Sequence, residues 1–324
     1  MKKLSGFLLI FFFVNSSFAQ GISKADLKIL QQKEDSIRTY AVKIIQGINA
    51  SDRLEADSLF TRMLVRALKT KHSFYFPFES LQTISVQYSP DSVFRIFTWQ
   101  LVINENVIRQ HGAIQMKTGD GSLKLFPLID KSDVTSNAQD TIGDNYGWMG
   151  AIYYKIIHKK SGSQDYYTLL GFDENNIRSS RKLIEVLRFT ANGPVFGGPY
   201  FTGEGGNGFP RSQSRYIMEY KKEAGPRLSY DKELDMIIVE HLVSESGEPK
   251  KKWTLIGDGD YEGFKWSGGR WMHVDKVFNV VTPDGQAPVP NPIRDPSGKL
   301  DENKLKGAEE EEVKPSPARP KGKG

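Results

Sequence analysis

An acidic pattern at Asp258–Gly263 is the first place where residue types and spacing predict chemistry. Asp258, Asp260 and Glu262 alternate with other residues, and a glycine follows the third acid. This order is typical of the start of a calcium-binding loop, in which alternate carboxylates converge on a hard cation. The twelfth position of such a loop needs a glutamate but is Gly269, and strands are predicted on both sides. The pattern therefore favours a solvated β-turn, with calcium binding as an alternative.

Two further motifs match short signatures without the structural context that those signatures need. Gly203–Gly208 has the glycine spacing of a dinucleotide-binding turn, but Phe209 and Pro210 follow it where a helix is required. Ser179 and Lys182 have the serine–lysine spacing of some acylating enzymes, whose other motifs are missing from the sequence. We interpret the first motif as a loop and the second as a chance match.

The histidines do not form a recognisable metal or catalytic motif. None is paired as H-x-H or H-E-x-x-H, and the five are His72, His111, His158, His241 and His273. Glu240 and His241 are neighbours, but adjacent residues of a strand point to opposite faces of a sheet. No catalytic, cofactor-binding or metal-ligating residue is predicted from the sequence, and convergence of distant residues in the fold is left open.

Acidic and aromatic side chains leave two alternatives open. Asp173, Glu174 and Glu240 are candidates for a hydrolase whose carboxylates converge only in the folded chain. Bunched aromatic residues favour packing between strands over a platform for sugar rings, because cross-strand aromatic pairs stabilise sheets. The aromatic residues concerned are Phe74, Tyr75, Phe76, Phe78, Tyr153, Tyr154, Tyr166, Tyr167, Trp266 and Trp271.

The N-terminus has the pattern of a secretory signal. Lys2 and Lys3 precede an apolar run over Leu8–Val14, and Ser17–Ala19 has small residues at the cleavage-recognition positions. The apolar run is shorter than the roughly 20 residues that span a bilayer. We predict cleavage near Gln20 and a periplasmic or secreted mature protein without a transmembrane segment.

The composition excludes several classes of protein. Among 324 residues there is no cysteine, which excludes disulfides, thiolate metal sites, a cysteine nucleophile and a lipoprotein anchor. A hydrophobic fraction of 38% is enough for a packed core. Without Lys2 and Lys3 the formal net charge falls from +5 to +3, so the charge does not predict nucleic-acid binding.

Two amphipathic helices are predicted before residue 72. The first apolar stripe includes one charged residue, Glu34, among Leu27, Leu30, Ile37, Ala41, Ile44 and Ile48. Asn49–Ser51 breaks the pattern, and Asp52 with Glu55 resembles a capping box that starts a second helix. The second stripe consists of Ala56, Phe60, Met63, Leu64, Ala67 and Leu68. We predict an antiparallel helical hairpin, with a partner-binding coiled coil as the alternative.

From His72 onward the apolar period changes to two, which predicts strands. Val93–Ile103 is apolar on both faces and is expected in the middle of a covered sheet. Lys131–Asn145 is predicted as a polar turn region, and Ser267–Gly269 as the turn of a hairpin between Phe264 and Val274. Short turns without helical crossovers predict a mostly antiparallel sheet. Further strands are expected at Ile84–Tyr88, Ala113–Met116, Leu123–Leu128, Ala151–His158, Tyr166–Phe172, Lys182–Phe189, Val195–Phe196, Arg215–Tyr220, Met236–Val243 and Trp253–Ile256.

The predicted organisation has four segments. Residues 1–19 are the signal peptide, 20–72 the helical segment and 73–282 the antiparallel β domain. Residues 283–324 are predicted to be a disordered tail rich in Pro, Glu and Lys, because this stretch has 8 of the 16 prolines. The predicted fold class is mainly β (α+β), with an N-terminal helical hairpin packed on a large, mostly antiparallel β-sheet domain.

Three segments carry a resemblance to known sequences: Tyr167–Asp173, Arg181–Leu187 and Asp260–Phe264. Together with the signal that ends at Ala19, they resemble a set of functionally uncharacterised exported bacterial proteins. The likeness covers most of Phe74–Phe278. The resemblance implies export and brings no known catalytic residues to this sequence.

The sequence favours an exported envelope protein that acts as a non-catalytic binding or scaffold module. Its expected partners are an envelope protein or a glycan, and no cofactor or nucleic acid is expected. The first alternative is a hydrolase acting on a glycan or cell-wall substrate. The second is a calcium-dependent adhesion module that uses Asp258, Asp260 and Glu262. Whether the protein is an enzyme is left open by the sequence.

Overall fold

The computed structural model of the chain describes residues 21–203 and 209–278. Within these ranges the helices are α1 (Lys24–Gln46) and α2 (Ala50–Leu68), with short 3-10 helices at Ser73–Tyr75 and Lys252–Thr254. The strands are β1 (Ser85–Tyr88), β2 (Phe94–Asn104), β3 (Val107–Met116), β4 (Lys124–Ile129), β5 (Gly143–Asp144), β6 (Ile152–Ser161), β7 (Gln164–Asp173), β8 (Ser179–Thr190), β9 (Gly193–Phe196), β10 (Phe201–Thr202), β11 (Arg215–Lys221), β12 (Leu228–Asp231), β13 (Met236–Ser244), β14 (Leu255–Ser267) and β15 (Arg270–Val274). The predicted signal and tail lie outside the described residues, so the four segment boundaries stay predictions.

The strands form three sheets that stack with the helices as four layers. The first sheet has the order β1-β2-β3-β4, and the second has β5-β9-β8-β7-β6 with β11 also paired to β8. The third has the order β10-β15-β14-β13-β12. Among these pairs of strands, all are antiparallel apart from the short pair of β10 and β15. The predicted mainly β fold with an N-terminal helical hairpin is therefore confirmed.

Strand β2 separates two of the apolar cores. Phe97, Trp99 and Leu101 pack with the two helices on one face. Phe94 and Ile96 lie on the other face and pack against the second sheet. All five side chains are at most 3% exposed. The predicted central strand, apolar on both faces, is confirmed, and its two-sided burial joins the helical layer to the sheets.

A third core lies between the second and third sheets. Ile184 and Val186 of β8 face Ile237, Phe264 and Trp271 of the third sheet, and all five are fully buried. Because alternate residues of β8 also pack toward the first sheet, the second sheet is covered on both sides. Polar side chains that remain in these layers must therefore find partners inside the protein.

The helical hairpin differs from the prediction at its ends. Leu27 and Ile48 are exposed, Ile48 by 90%, because they lie at or beyond the two ends of α1. The predicted capping box is wrong, because α2 starts directly after Asn49 and Asp52 lies inside its first turn. Among the described residues, no helix is both long enough and apolar enough to span a membrane.

Two differences in the β region bear on function. Trp253 lies in a 3-10 helix, whereas a strand was expected. Asp258–Gly263 lies inside β14, so the predicted turn is wrong. Between Glu240 and Leu242 the register of β13 against β14 shifts, and Gly259 there has a φ of 86°. The acidic and glycine-rich sequence therefore makes an irregularity within a paired strand, because bulges and turns both use glycine at positive φ.

A buried ion pair joins the second sheet to the loop that follows β4. Arg215 and Glu185 are cross-strand partners on β11 and β8, with Nη2 and Oε2 2.9 Å apart and side chains 1% and 0% exposed. Arg215 also donates to the main-chain oxygens of Ala138 and Thr141. Glu185 accepts a further hydrogen bond from the Tyr153 hydroxyl. These bonds satisfy the buried charges and fix the loop against β11.

Replacing Arg215 by methionine should destabilise the protein by about 3 to 5 kcal/mol, because Glu185 would keep a buried charge without its cation. Urea unfolding followed by tryptophan fluorescence measures the change. Arg211→Met is the control, since Arg211 is exposed and its loss should change stability by less than about 0.5 kcal/mol. Equal effects of the two substitutions would contradict the role given to the buried pair.

Candidate functional site

A cavity of about 680 Å³ lies beside β11. Its walls come from β11, from β13 to β15, from residues 132–139 of the loop after β4, and from Phe209. We call it the β11 cleft. Its volume falls within the range of about 300 to 1,000 Å³ that is usual for ligand pockets.

Glu262 is the centre of the polar network in the β11 cleft. Its Oε1 accepts a hydrogen bond of 3.1 Å from the Tyr216 hydroxyl, and its Oε2 lies 2.8 Å from Nε2 of His273. Nδ1 of His273 lies 3.1 Å from a carboxylate oxygen of Asp275. Burial, followed by the charge of Glu262, raises the pKa of Tyr216, which keeps its hydroxyl a donor. Both carboxylates of this network are thus held by specific partners.

The third and second sheets position these groups from opposite sides. His273 on β15 is the cross-strand partner of Phe264 on β14, and Glu262 lies two residues before Phe264, in diagonal reach of the imidazole. Tyr216 on β11 packs into the same core as Phe264. The Phe209 ring stacks on His273 with centroids 4.4 Å apart and planes 9° apart. Apolar packing between the sheets therefore fixes the polar groups.

A second carboxylate lines the cleft from β11. Glu219 accepts a hydrogen bond of 3.0 Å from Nε of Arg181 and one of 2.7 Å from the Ser179 hydroxyl. Arg181 is also its cross-strand partner on β8. Lys182, the other half of the serine–lysine motif, donates to the main-chain oxygen of Pro226. The motif is split because residues at this spacing lie on opposite faces of a strand.

The acidic residues of β14 have separate partners. Asp258 Oδ2 lies 2.8 Å from Nδ1 of His241, whereas Glu262 contacts Tyr216 and His273. The hydrogen bond from His241 and that from the amide of Asp260 outweigh partial burial and lower the pKa of Asp258. This arrangement on a paired strand lacks the loop that a calcium site of the expected kind needs. The geometry therefore gives the calcium alternative no support.

The three carboxylates expected in a hydrolase do not meet in one cavity. Asp173 accepts a hydrogen bond of 3.0 Å from Gln110, and Glu174 one of 2.8 Å from Gln100, both glutamines lying on the first sheet. Glu240 lies on the third sheet and accepts from the main-chain amide of Arg227. These partners belong to different layers, so the convergence of Asp173, Glu174 and Glu240 is not observed among the described residues.

A smaller cavity of about 480 Å³ between α2 and the first sheet contains an oriented histidine. Asp57 Oδ1 accepts a hydrogen bond of 2.7 Å from Nε1 of Trp99 and lies 2.9 Å from Nδ1 of His111. We call this space the α2 cavity. The sequence contains one sign of it, because Asp57 lies three residues before Phe60 and seven before Leu64 on the apolar stripe.

The remaining histidines lie elsewhere. His72 precedes the first 3-10 helix with a φ of 58°, and its main-chain amide donates to Gly121. His158 lies on β6 beside Asp165 and Asp91. Four of the five histidines therefore pair with a carboxylate. Each of the four has a partner at least seven residues away in the sequence, and His273 also contacts Asp275, two residues away.

Comparison with known proteins gives no function for either cavity. No known family, curated protein or solved structure matches the chain.

Asp173→Asn should change how stability depends on pH. Burial raises the pKa of Asp173, and hydrogen bonds from Asn175 and Gln110 offset only part of this effect. The folded state thus holds the proton more tightly than the unfolded state, and this carboxyl lowers the free energy of unfolding as pH rises through its titration. From about pH 4 upward, the variant should gain stability relative to the wild type until the Asp173 carboxyl of the folded wild type is ionised.

Urea unfolding at a series of pH values measures this difference. Asp120→Asn is the comparison, because hydrogen bonds from Ser122 lower the pKa of Asp120 and its removal should act in the opposite direction. Parallel stability curves for the wild type and Asp173→Asn would show that the buried carboxyl does not titrate as argued.

Proposed function

We propose that this chain is an exported cell-envelope protein whose β11 cleft is a non-catalytic binding site for a glycan. One observation carries the proposal: the carboxylates that line the cleft are already paired, Glu262 with Tyr216 and His273, and Glu219 with Arg181. Fixed in this way, they offer their remaining lone pairs to ligand hydroxyl groups. Acceptors that are already held in position suit ligand binding, because less conformational entropy is lost when the ligand binds. Acid–base catalysis would instead need a group that is free to exchange a proton.

The chemistry of the cleft favours a ligand that is neutral and rich in hydroxyl groups. Two acidic and two basic side chains line it, Glu219 and Glu262 with Arg181 and Lys252, so their formal charges cancel. The rings of Phe209 and Tyr216 stack with centroids 6.3 Å apart and add apolar surface. A sugar combines polar hydroxyls with apolar ring faces, and each finds a counterpart here.

Export is supported by the sequence. Lys2, Lys3 and the apolar run before Ala19 have the order of a secretory signal. The resemblance of Tyr167–Asp173 and Arg181–Leu187 to exported bacterial proteins agrees with this. A periplasmic or secreted protein encounters cell-wall and surface glycans, which is why a glycan is proposed over other neutral ligands.

Tyr216→Phe should weaken glycan binding about tenfold, because it removes a hydroxyl from the Glu262 network but keeps the ring. Isothermal titration calorimetry with N-acetylglucosamine oligomers and soluble peptidoglycan fragments measures binding. Tyr230→Phe is the matched control, since the Tyr230 hydroxyl also donates to a carboxylate, that of Asp235, outside the cleft. Binding of neither probe by the wild type, or equal weakening in both variants, would contradict the proposal.

The second candidate is a hydrolase acting on a cell-wall glycan. For it we propose the α2 cavity in place of Asp173, Glu174 and Glu240. Asp57 engages Nδ1 of His111 and thereby favours the tautomer with a basic Nε2. Within the described part of the chain, the structure gives this Nε2 no hydrogen-bond partner. A histidine oriented by a buried carboxylate can act as a general base toward water or a substrate hydroxyl.

If the second candidate is correct, His111→Gln should reduce hydrolysis by at least about 100-fold, and Asp57→Asn should reduce it strongly as well. Release of reducing sugars from purified peptidoglycan measures turnover. Glu34→Gln is the control, because Glu34 is also a buried carboxylate of the helical hairpin but accepts from a main-chain amide, that of Ser80. Absence of turnover by the wild type would exclude this candidate for that substrate.

A further inference from the structure

Asp91, His158 and Asp165 meet outside both cavities. Asp91 lies in the turn between β1 and β2, His158 on β6 and Asp165 on β7. One ligating atom of each lies within 4.8 Å of those of the other two. Among the residues that the structure describes, no other three His, Cys, Asp or Glu side chains come together in this way. His158 and Asp165 lie on the two strands of one hairpin, and the fold brings Asp91 of another sheet to them.

The spacing of the ligating atoms fits a small divalent metal ion. Nε2 of His158 lies 2.7 Å from Oδ1 of Asp165 and 3.8 Å from Oδ2 of Asp91. Bonds of about 2.1 Å to a tetrahedral or octahedral ion place neighbouring ligand atoms about 3.0 to 3.4 Å apart. The two observed distances, 2.7 and 3.8 Å, lie on either side of this range and within 0.5 Å of it.

Groups outside the three side chains hold two of them in place. The Tyr167 hydroxyl donates a hydrogen bond of 2.7 Å to Oδ2 of Asp91. The Tyr167 ring stacks on the imidazole of His158, with centroids 4.8 Å apart and planes 13° apart. The main-chain amide of Val93 donates to the other oxygen of Asp91. Outer partners of this kind orient the ligands of metal sites and raise their affinity.

We propose that Asp91, His158 and Asp165 bind a zinc ion. One imidazole nitrogen and two carboxylate oxygens are donors that Zn²⁺ accepts, and three protein ligands leave a fourth position for water. The side chains of His158 and Asp165 are 16% and 38% exposed, which gives the ion and its water access from solvent. The site is independent of the glycan proposed for the β11 cleft.

Replacing Lys160 should change zinc affinity in the opposite direction to replacing a ligand. Its Nζ lies 3.3 Å from Oδ1 of Asp165, the same oxygen that would coordinate the metal, and its side chain is 66% exposed. The ammonium group therefore competes with a metal ion for this carboxylate and repels it. Removing Lys160 should tighten zinc binding, which loss of an ordinary structural contact would not do.

The experiment is titration of the full chain with Zn²⁺ after the protein has been cleared of metals with a chelator. The wild type should bind one ion, and Asp165→Asn and His158→Gln should each weaken binding by more than about 100-fold. Asp258→Asn is the matched control, because His241 and Asp258 form another solvent-accessible pair, 2.8 Å apart, without a third ligand. Co²⁺ is a coloured probe that should develop visible absorption with the wild type but not with Asp165→Asn.

Lys160→Ala should tighten zinc binding by about threefold to tenfold. Because Lys160 is exposed, its replacement should not disturb folding, so a change in zinc affinity would report on the site itself. Circular dichroism checks the fold of every variant. Failure of the wild type to bind Zn²⁺ would overturn the proposal. So would equal affinities of the wild type and Asp165→Asn, or equal weakening in Asp165→Asn and Asp258→Asn. Unchanged or weaker binding by Lys160→Ala would also count against coordination by Asp165.

Discussion

The pairing of Arg215 with Glu185 is the constraint on which the β11 cleft depends. A buried charge without a partner costs several kcal/mol, so the guanidinium must find acceptors where β11 places it. It finds them in Glu185 and in the main-chain oxygens of Ala138 and Thr141. Residues 132–139, which contain no helix or strand, therefore line the cleft. An electrostatic requirement of the core thus orders a polar loop that has few apolar side chains of its own to pack.

Strand β8 explains why the cleft lies beside β11. One edge of β8 pairs with β7, and the other is divided between β11 over Ser179–Glu185 and β9 over Leu187–Thr190. Arg215, the first residue of β11, lies at the junction of these two stretches, opposite Glu185. Between β9 and β11 the chain pairs with the third sheet through β10. The second and third sheets are thereby connected close to the place where Tyr216 meets Glu262.

The helices and most strands could be predicted from the sequence, because burial on one face gives a regular apolar period and burial on both faces, as in β2, gives a continuous apolar run. The strand at Asp258–Gly263 could not be predicted, because acidic residues and glycine occur both in turns and in irregular strands. Only the pairing with β13 distinguishes the two structures. The cleft was not predictable for another reason. Tyr216 and Glu262 are 46 residues apart in the sequence, and their contact depends on how two sheets stack. Local patterns contain no information about that distance.

Two buried carboxylates on the helical hairpin show how far a local pattern reaches. Glu34 and Asp57 both interrupt an apolar stripe, and both are 7% exposed. Such an interruption indicates a buried acceptor, because a desolvated carboxylate needs a donor. It does not identify the donor. Glu34 accepts from the amide of Ser80, which has nothing further to offer a ligand, whereas Asp57 engages His111, whose second ring nitrogen remains. The partner across the fold, and not the carboxylate itself, therefore decides whether a buried acid supports structure or chemistry.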